Sequence, residues 1–229
     1  MHPDSKIKID PSLNLLKALA IVFMTIDHIG LFLFPSHLGF RIIGRLAAPI
    51  FTYLIVQGVR HSQYLSKYIA RLVILAVFSQ IVFYATIGQT SLNIVFNFLL
   101  LIAFIVSNWP GRLIVPLVYL LIDIEYGPYI LLLGLAFYFI RSSYFRLIWG
   151  SIISFGFSLW MAVKYQLVDM LSAIQFFSAL ASPVIFAVEQ IKTGLDQVKW
   201  LNRPWPRWLF YAYYPLSWLI IFGIAQLNN

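Results

Sequence analysis

Ionisable side chains interrupt the first long apolar stretch of the chain, residues 13–51. The members of this set are Lys17, Asp27, His28, Arg41 and Arg45. A charged side chain near the middle of a bilayer costs about 2.5–3.5 kcal/mol, so ionisable residues in such a segment are candidates for function. A histidine titrates close to physiological pH and can accept a proton from an amine or a hydroxyl group. His28 is therefore a candidate general base.

Helical geometry relates these residues to one another. Lys17 and His28 are 11 residues apart, which places them on one face of a helix, about 16 Å apart along its axis. Asp27 points about 100° away from His28, and both side chains can still face one cavity. Asp27 would orient His28 or pair with a basic residue. Arg41 and Arg45 offer that pair, since they share a helix face. The same pattern also fits an Asp–Arg pair that only joins two helices, with His28 in the core.

The sequence GRLAAPIF, residues 44–51, combines small residues with a proline. The small residues allow two helices to approach closely, and Pro49 predicts a bend in the helix. Packing does not explain Arg45 within this segment, so Arg45 joins His28 and Asp27 as a catalytic candidate. Arg41 alone also fits an interfacial residue whose aliphatic stem lies along apolar surface.

Further polar residues follow in the later apolar segments. Arg71 lies near one end of the third segment, where it would contact a phosphate group or only anchor the helix. Asn93 and Asn97 are one turn apart, and we expect them to line the same cavity. Asp123 and Glu125 flank a turn, which predicts solvated loop carboxylates.

Composition places the chain among membrane proteins. Of its 229 residues 61% are hydrophobic and 10% charged, with a mean hydropathy of +0.86, whereas soluble domains carry about 25% charged residues. We predict one all-α domain over residues 1–229, a polytopic membrane helix bundle in the inner (cytoplasmic) membrane. Basic residues are scattered between apolar segments, which argues against nucleic acid as a partner. The chain has no cysteine and no HExxH, P-loop or GxSxG motif, and we expect no metal site. The first apolar run is too long for a signal peptide.

Apolar segments predict about nine transmembrane helices, with eight or ten as alternatives. They span residues 13–34, 41–60, 65–87, 92–107, 112–124, 128–141, 145–165, 171–190 and 207–227. Nine alternating crossings place twelve of the 16 Lys and Arg residues on the N-terminal side and three on the other, with Lys17 inside the first segment. Lys and Arg accumulate on the cytoplasmic side, so the N-terminus is predicted to be cytoplasmic. Ser12 is the predicted N-cap of the first helix, and aromatic residues within 205–218 are predicted to form an interfacial belt.

Three stretches of this sequence resemble the TraX family. They are LKALAIVFMTIDHIGLFLFP, FRIIGRLAAPIFTYLIVQGVRHS and KYIARLVILAVFSQIVFY. The resemblance covers residues 13–100 and returns at residues 210–216. The family's namesake is a membrane acetyltransferase that caps the N-terminus of conjugative pilin. At two positions the chain departs from the family: Glu125 replaces an Asp before Tyr-Gly, and Ser217 stands where a His is expected.

The family also resembles the wider group of transmembrane acyltransferases, whose first helix carries a basic residue, ten intervening residues and a His. Lys17 and His28 match that spacing. The resemblance implies an acetyltransferase that takes acetyl-CoA from the cytoplasm, with His28 as general base and Arg45 or Asn93 stabilising the oxyanion. The acceptor would be a protein N-terminus, such as that of pilin, or a cell-envelope glycan. The residues expected to bind acetyl-CoA are Lys17, Arg71, Arg41 and Asn93.

Two other functions fit the same residues. Asp27 and His28 would equally serve as a proton relay in a transporter or flippase. A non-catalytic membrane partner of an envelope assembly system would fit the replacement of a His by Ser217. Binding of CoA by the purified protein favours the enzyme, whereas proton-coupled uptake without CoA favours transport.

Overall fold

The computed structural model describes residues 10–164 and 174–227, and their regular elements are helices. In chain order the α-helices are α1 (Pro11–Phe32), α2 (Leu38–Gly44), α3 (Ala47–His61), α4 (Leu65–Ile87), α5 (Ile94–Val106), α6 (Trp109–Leu121), α7 (Tyr129–Phe139), α8 (Ser143–Lys164), α9 (Ala181–Gln190), α10 (Lys192–Leu195) and α11 (Arg207–Leu227). A 3₁₀ helix, Gln175–Leu180, precedes α9. No β-strand occurs within these two ranges, so the predicted all-α class is confirmed for them.

Several of the helices are long and apolar enough to cross a membrane. Within residues 10–164 and 174–227 there are five such stretches: α1, Leu38–His61, α4, α8 and Leu209–Leu227. Helices α5, α6 and α7 are apolar but shorter. The prediction of a multi-pass helical membrane protein is therefore confirmed, and helix length and apolarity by themselves give five candidate spans in the described part of the chain.

The start of α1 differs from the prediction. Its N-cap is Asp10, whose carboxylate accepts hydrogen bonds from the backbone N–H of Ser12 at 3.1 Å and from the Ser12 hydroxyl at 2.6 Å. Pro11 occupies the first helical position, where its missing N–H is not needed. Ser12 therefore lies inside the helix as a donor to the cap, and the prediction of Ser12 as the N-cap is wrong.

The second predicted segment, residues 41–60, is divided into two helices. Helix α2 ends at Gly44 and α3 begins at Ala47, so the break lies before Pro49 rather than at it. A proline ring clashes with the carbonyl group four residues earlier, which here belongs to Arg45. In the first turn of α3, by contrast, the missing N–H group of Pro49 costs no hydrogen bond, because the first N–H groups of a helix have no acceptor within it. The proline therefore ends one helix and begins the next, and it leaves Arg45 at the junction.

Other boundaries shift for local reasons. The fifth predicted segment, residues 112–124, begins at Trp109 and ends at Leu121. The carboxamide oxygen of Asn108 accepts a hydrogen bond from the backbone N–H of Gly111 at 3.4 Å, which caps the helix earlier than predicted. The first residues of the eighth predicted segment, 171–190, lie outside the described residues, and its later part is the 3₁₀ helix and α9.

Hydrogen bonds between distant residues fasten one end of the bundle. The Asn14 carboxamide donates to the carbonyl oxygens of Leu201 at 2.7 Å and Arg203 at 3.2 Å. Arg146 and Glu189 form an ion pair at 2.5 Å, and the Tyr53 hydroxyl donates to the same carboxylate. These contacts bring the N-terminal half of α1 close to the segment before α11 and join α3, α8 and α9.

The opposite end is fastened through two loops. The backbone N–H of Leu92 donates to the carbonyl oxygen of Asp123 at 2.9 Å, and that of Glu125 donates to the carbonyl oxygen of Leu92 at 2.8 Å. The Asn97 carboxamide donates to the carbonyl oxygens of Glu125 and Gly127, at 2.8 Å each. Helix α5 therefore holds the loop between α6 and α7 in one place.

Candidate active site

A cavity of about 550 Å³ lies among α1, α3, α4, α5 and α11. It is not fully enclosed, and most of its lining is apolar. The ionisable residues that line it include three from the sequence candidates of the first helix. The Lys, Arg, His, Asp and Glu residues of the lining are Lys17, Asp27, His28, Arg41, Arg45 and Glu125. The prediction that Asp27 and His28 can face one cavity agrees with this arrangement, and Lys17, predicted on the same helix face as His28, lines the same cavity.

His28 lies in an aromatic wall of the cavity. Its side chain is 4% exposed, and its Nδ1 atom is buried with no hydrogen-bond partner among the described residues. The ring centroid of His28 lies 4.5 Å from that of Trp218, edge to face, and 6.1 Å from that of Tyr214. A core histidine held only for stability would have both ring nitrogens matched, because an unpaired buried polar atom costs about 1–3 kcal/mol.

Asp27 accepts hydrogen bonds from two arginines. Its Oδ2 atom lies 2.7 Å from Nη1 of Arg41, and its Oδ1 atom lies 3.3 Å from Nη2 of Arg45. No hydrogen bond joins Asp27 to His28 within the described ranges. Of the two predicted roles for Asp27, the contacts therefore favour the pairing with arginine over the orientation of His28.

Gly44 makes this cluster possible. A Cβ atom at position 44 would lie 2.2 Å from Oδ1 and 2.3 Å from Cβ of Asp27. The absence of a side chain at this residue allows α1 and α2 to approach until the carboxylate reaches the guanidinium groups. Gly44, the small residue predicted to permit close helix packing, therefore also leaves the space that the Asp27 side chain occupies.

Arg45 points towards the loop that α5 holds. Its Nη1 atom donates to the Tyr126 hydroxyl at 3.3 Å and to the carboxamide oxygen of Gln175 at 3.5 Å, the second of these being at the limit of hydrogen bonding. Together with Asp27, these partners fix the guanidinium group on the wall of the cavity. A preorganised cation in a site with little water can stabilise a developing oxyanion.

Lys17 lines the cavity about three helical turns from His28. Its ammonium group donates to the Asn14 carboxamide at 3.1 Å and lies 5.5 Å from the centroid of the Phe210 ring. Among the described residues it forms no ion pair. An ammonium group without an anionic partner, at the end of α1 where Asn14 fastens the loop, can receive a phosphate group.

Arg71 and Asn93 are not among the residues that line the cavity. The guanidinium group of Arg71 lies 5.8 Å from the centroid of the Tyr211 ring, and its Nε atom has no partner among the described residues. Asn93 is fully buried as the N-cap of α5, accepting from the backbone N–H of Val95 at 2.9 Å and donating to the carbonyl oxygen of Ala76 at 3.0 Å. Asn97 is also buried, so the expectation that Asn93 and Asn97 line one cavity is wrong.

Glu125 is on the cavity wall, although the sequence predicted a solvated loop carboxylate. It lines the cavity together with Tyr126, and its Oε2 atom accepts a hydrogen bond from the backbone N–H of Ile94 at 3.1 Å. Burial raises the pKa of Glu125 to about 7, although the backbone hydrogen bond and the nearby Arg45 act in the opposite direction. Asp123, by contrast, is exposed, as predicted.

The aromatic residues near the C-terminus supply a second set of lining groups that the sequence assigned to an interfacial belt. Within residues 205–218 the side chains that line the cavity are Trp205, Phe210, Tyr211, Tyr214 and Trp218. The spacing of the last four, at three-, four-, seven- and eight-residue intervals, is that of one helix face and could have revealed them. Ser217, where the resemblance predicts a His, lines a separate groove with Thr25 and Tyr213.

Comparison with known proteins places the chain in a family. The family model described as TraX protein matches residues 12–225. An uncharacterized protein of Rickettsia prowazekii (strain Madrid E) is 58% identical over 40 residues, which are 18% of this chain and 16% of that protein. No solved structure matches the chain. Because the family model covers nearly the whole sequence, the chain belongs to the TraX family.

Proposed function

We propose that this protein is a membrane acetyltransferase that moves an acetyl group from cytoplasmic acetyl-CoA to an acceptor amine or hydroxyl group. The observation that carries the proposal is the shared cavity of His28 and Lys17. One end of it offers an ammonium group for the anionic part of the donor, and the other offers an imidazole with an unpartnered nitrogen. Membership of the TraX family supports the same assignment, since the resemblance implies that activity.

The reaction follows from the placement of three side chains. His28 accepts the proton of the acceptor nucleophile as the nucleophile attacks the thioester carbon. Arg45, held by Asp27, faces the cavity and stabilises the negative charge that develops on the carbonyl oxygen. The carbon–sulfur bond then breaks, and the thiolate takes the proton from His28. The acetyl group passes directly from the sulfur to the acceptor, without a covalent enzyme intermediate.

We propose further that the chain crosses the inner membrane nine times, with a cytoplasmic N-terminus. The end of the bundle that contains Asn14 also contains Arg60, whose guanidinium group contacts the carbonyl oxygen of Tyr138. It also contains the Arg146–Glu189 ion pair. The short helices α5, α6 and α7 would then run alternately between the two ends. Basic residues concentrate at the Asn14 end, and such residues favour the cytoplasmic side.

The direct test follows the acetyl group of the donor. Purified protein in lipid nanodiscs is supplied with labelled acetyl-CoA and a mixture of short peptides with free α-amino groups. His28→Ala is expected to reduce transfer by about 10²–10⁴-fold, the usual contribution of a general base. The matched control is His37→Ala, because His37 is exposed in the loop after α1. Turnover by the His28 variant at the wild-type rate contradicts the proposal.

The donor site has its own test. Lys17→Ala is expected to weaken the binding of CoA, measured by isothermal titration in nanodiscs, by about tenfold, because one charge-assisted contact contributes about 1.5 kcal/mol. Lys67→Ala is the matched control, since Lys67 is exposed near the same end of the bundle and lies over the Tyr64 ring. Equal affinities of the wild type and the Lys17 variant for CoA would contradict the binding of the donor at Lys17.

A further inference from the structure

Glu125 is a carboxylate that the steps described so far do not use. Its surface faces the cavity, and one of its oxygen atoms, Oε2, accepts a backbone hydrogen bond from Ile94. The other oxygen, Oε1, has no hydrogen-bond partner among the described residues and is not fully buried. Asp123, two residues earlier in the same loop, is exposed to solvent. A position in the cavity is therefore particular to Glu125 and is not shared by every carboxylate of this loop.

The backbone around Glu125 is arranged to hold the carboxylate in this position. Tyr126 has a φ of 64°, a left-handed conformation that is rare for a residue with a side chain, and Gly127 has a φ of 48°. The Asn97 carboxamide binds the carbonyl oxygens on both sides of Tyr126, and Asn97 itself accepts a hydrogen bond from the Tyr119 hydroxyl at 2.5 Å. Conformations of this kind cost about 1–3 kcal/mol and persist where surrounding contacts enforce them.

The charges around the cavity distinguish Glu125 from Asp27. Asp27 is neutralised by direct contacts with Arg41 and Arg45. Glu125 forms no ion pair within the described ranges, and the two arginines act on it only at longer range. The titratable and charged groups that interact electrostatically with it are Asp27, Arg41, Arg45, the adjacent Tyr126, and Tyr214 of α11. Glu125 is thus the one acidic group of this lining whose charge has no direct partner.

We propose that Glu125 is a second proton acceptor in the cavity, which binds an ammonium acceptor and removes the proton that the ammonium must lose before its nitrogen can attack the thioester. The inference rests on the proposed acetyl transfer. A hydroxyl acceptor would need only His28, whereas an ammonium acceptor must lose two protons in all. The cavity contains two groups that can take them.

The proton balance assigns one transfer to each residue. The ammonium group gives one proton to the Glu125 carboxylate and becomes a neutral amine. The amine nitrogen then attacks the thioester carbon and gives its second proton to His28. The carbon–sulfur bond breaks, and the thiolate takes the proton from His28 to form the free thiol. Glu125 finally releases its proton to water, so that the products are an amide, a thiol and one proton.

The acid–base property of the carboxyl group suits this role. Burial raises the pKa of Glu125 to about 7, while an α-amino group in water has a pKa of about 7.7–8.0. Carboxylate and amine are therefore close enough in pKa for the proton to pass between them at neutral pH. An ordinary surface glutamate, with a pKa of about 4.3, would bind the ammonium group but would not accept its proton.

The test compares pH profiles of acetyl transfer to a short peptide with a free α-amino group, in nanodiscs with labelled acetyl-CoA. Without Glu125 the enzyme must use the amine that is already neutral in solution, which is about one molecule in seven at pH 7 and nearly all at pH 9.5. Glu125→Gln is therefore expected to lower kcat/KM about sevenfold at pH 7 and less than twofold at pH 9.5. Glu125→Asp, which keeps a carboxylate, restores the activity at pH 7.

Control variants separate this role from a structural one. A residue that only supports the loop gives the same loss at every pH, and such a result for Glu125→Gln overturns the inference. Asp123→Asn, in the same loop but exposed, is expected to follow the wild-type profile. Loss of transfer in His28→Ala together with an unchanged Glu125→Gln profile refutes only the role of Glu125. Absence of transfer by the wild type refutes the acetyltransferase proposal itself.

A spectroscopic measurement applies even if the glutamine variant does not fold. Infrared difference spectra of the wild type between pH 5 and pH 9 are expected to contain a protonated carboxyl band that disappears near pH 7. Glu125→Asp shifts this band, and Asp123→Asn leaves it unchanged. Absence of a carboxyl group that titrates near neutral pH overturns the proposal, because a carboxylate that stays ionised down to acidic pH does not take the proton of an ammonium group.

Discussion

Removal of the Asp27 carboxylate tests whether the cluster at the junction of α2 and α3 holds the bundle together. Asp27 is the direct ionic partner of both Arg41 and Arg45, at 2.7 and 3.3 Å. Asp27→Ala leaves two guanidinium groups in a mostly apolar cavity without a direct anionic partner. Breaking a buried ion pair by removal of one partner costs about 3–5 kcal/mol.

The magnitude is set by the exposure of the cluster. The arginine side chains are 15% exposed and that of Asp27 is 18% exposed, so some water reaches them and the lower value, about 3 kcal/mol, applies. For a chain of this size 1 kcal/mol changes Tm by about 2–4 °C, which predicts a fall of about 6–12 °C. Most of the lost stability is expected at Arg45, because the hydrogen bonds that it keeps, to Tyr126 and Gln175, are long.

The assay is thermal unfolding in detergent, followed by intrinsic tryptophan fluorescence. Acetate added to the buffer is expected to restore part of the lost Tm, since a small carboxylate can occupy the vacated position between the arginines. Chloride at the same ionic strength controls for screening. Asp123→Ala is the matched variant, because its carboxylate is exposed. A Tm for Asp27→Ala within about 2 °C of the wild type, less than 1 kcal/mol, refutes the reasoning.

Three further changes have definite expected results. Gly44→Ala places a Cβ atom 2.2 Å from Oδ1 of Asp27 and should destabilise the protein by about 1–3 kcal/mol in the same unfolding assay; an unchanged Tm would contradict the close approach. Glu125→Gln should stabilise the protein at pH 8 by at most about 3 kcal/mol and have little effect near pH 4.5. The sign follows because burial raises the pKa of Glu125 in the folded state to about 7. As the pH rises from the pKa of the unfolded chain towards 7, the unfolded chain loses this proton while the folded state keeps it, so the folded state loses stability. A stabilisation by Glu125→Gln at low pH instead of at pH 8 would contradict this reasoning. Lys192→Ala should change stability by less than about 1 kcal/mol, since its ion pair with Asp10 is largely exposed, and a Tm fall above about 4 °C would refute that.

The sequence identified the part of the site that lies on a single helix. The spacing of Lys17, Asp27 and His28 follows from helix geometry, which local sequence determines. Their placement on neighbouring faces of α1 required only that α1 be a continuous helix. The pairing of Asp27 with arginine was one of the alternatives that the sequence allowed, because the two basic residues lie shortly after the turn.

The contributions from distant segments could not be predicted in the same way. Glu125 reaches the cavity because Leu92 and Asn97, about thirty residues earlier, bind the backbone of its loop. Asn93 is a candidate by sequence because it is polar beside an apolar segment, but its side chain caps α5 and donates to the carbonyl oxygen of Ala76 in α4. Such outcomes depend on which loops pair in three dimensions, and hydropathy carries no information on that pairing.

For the proposed acetyl transfer, the length of α1 between Lys17 and His28 restricts the shape of the donor. A molecule that uses both ends of the cavity must carry its anionic group and its reactive carbonyl carbon about 16 Å apart. Acetyl phosphate is far too short to bridge that distance, since its phosphate and its acyl group are adjacent. A thioester at the tip of a long, thin, mostly neutral arm has the required dimensions, so in the proposed reaction the distance along the helix would exclude compact acetyl donors.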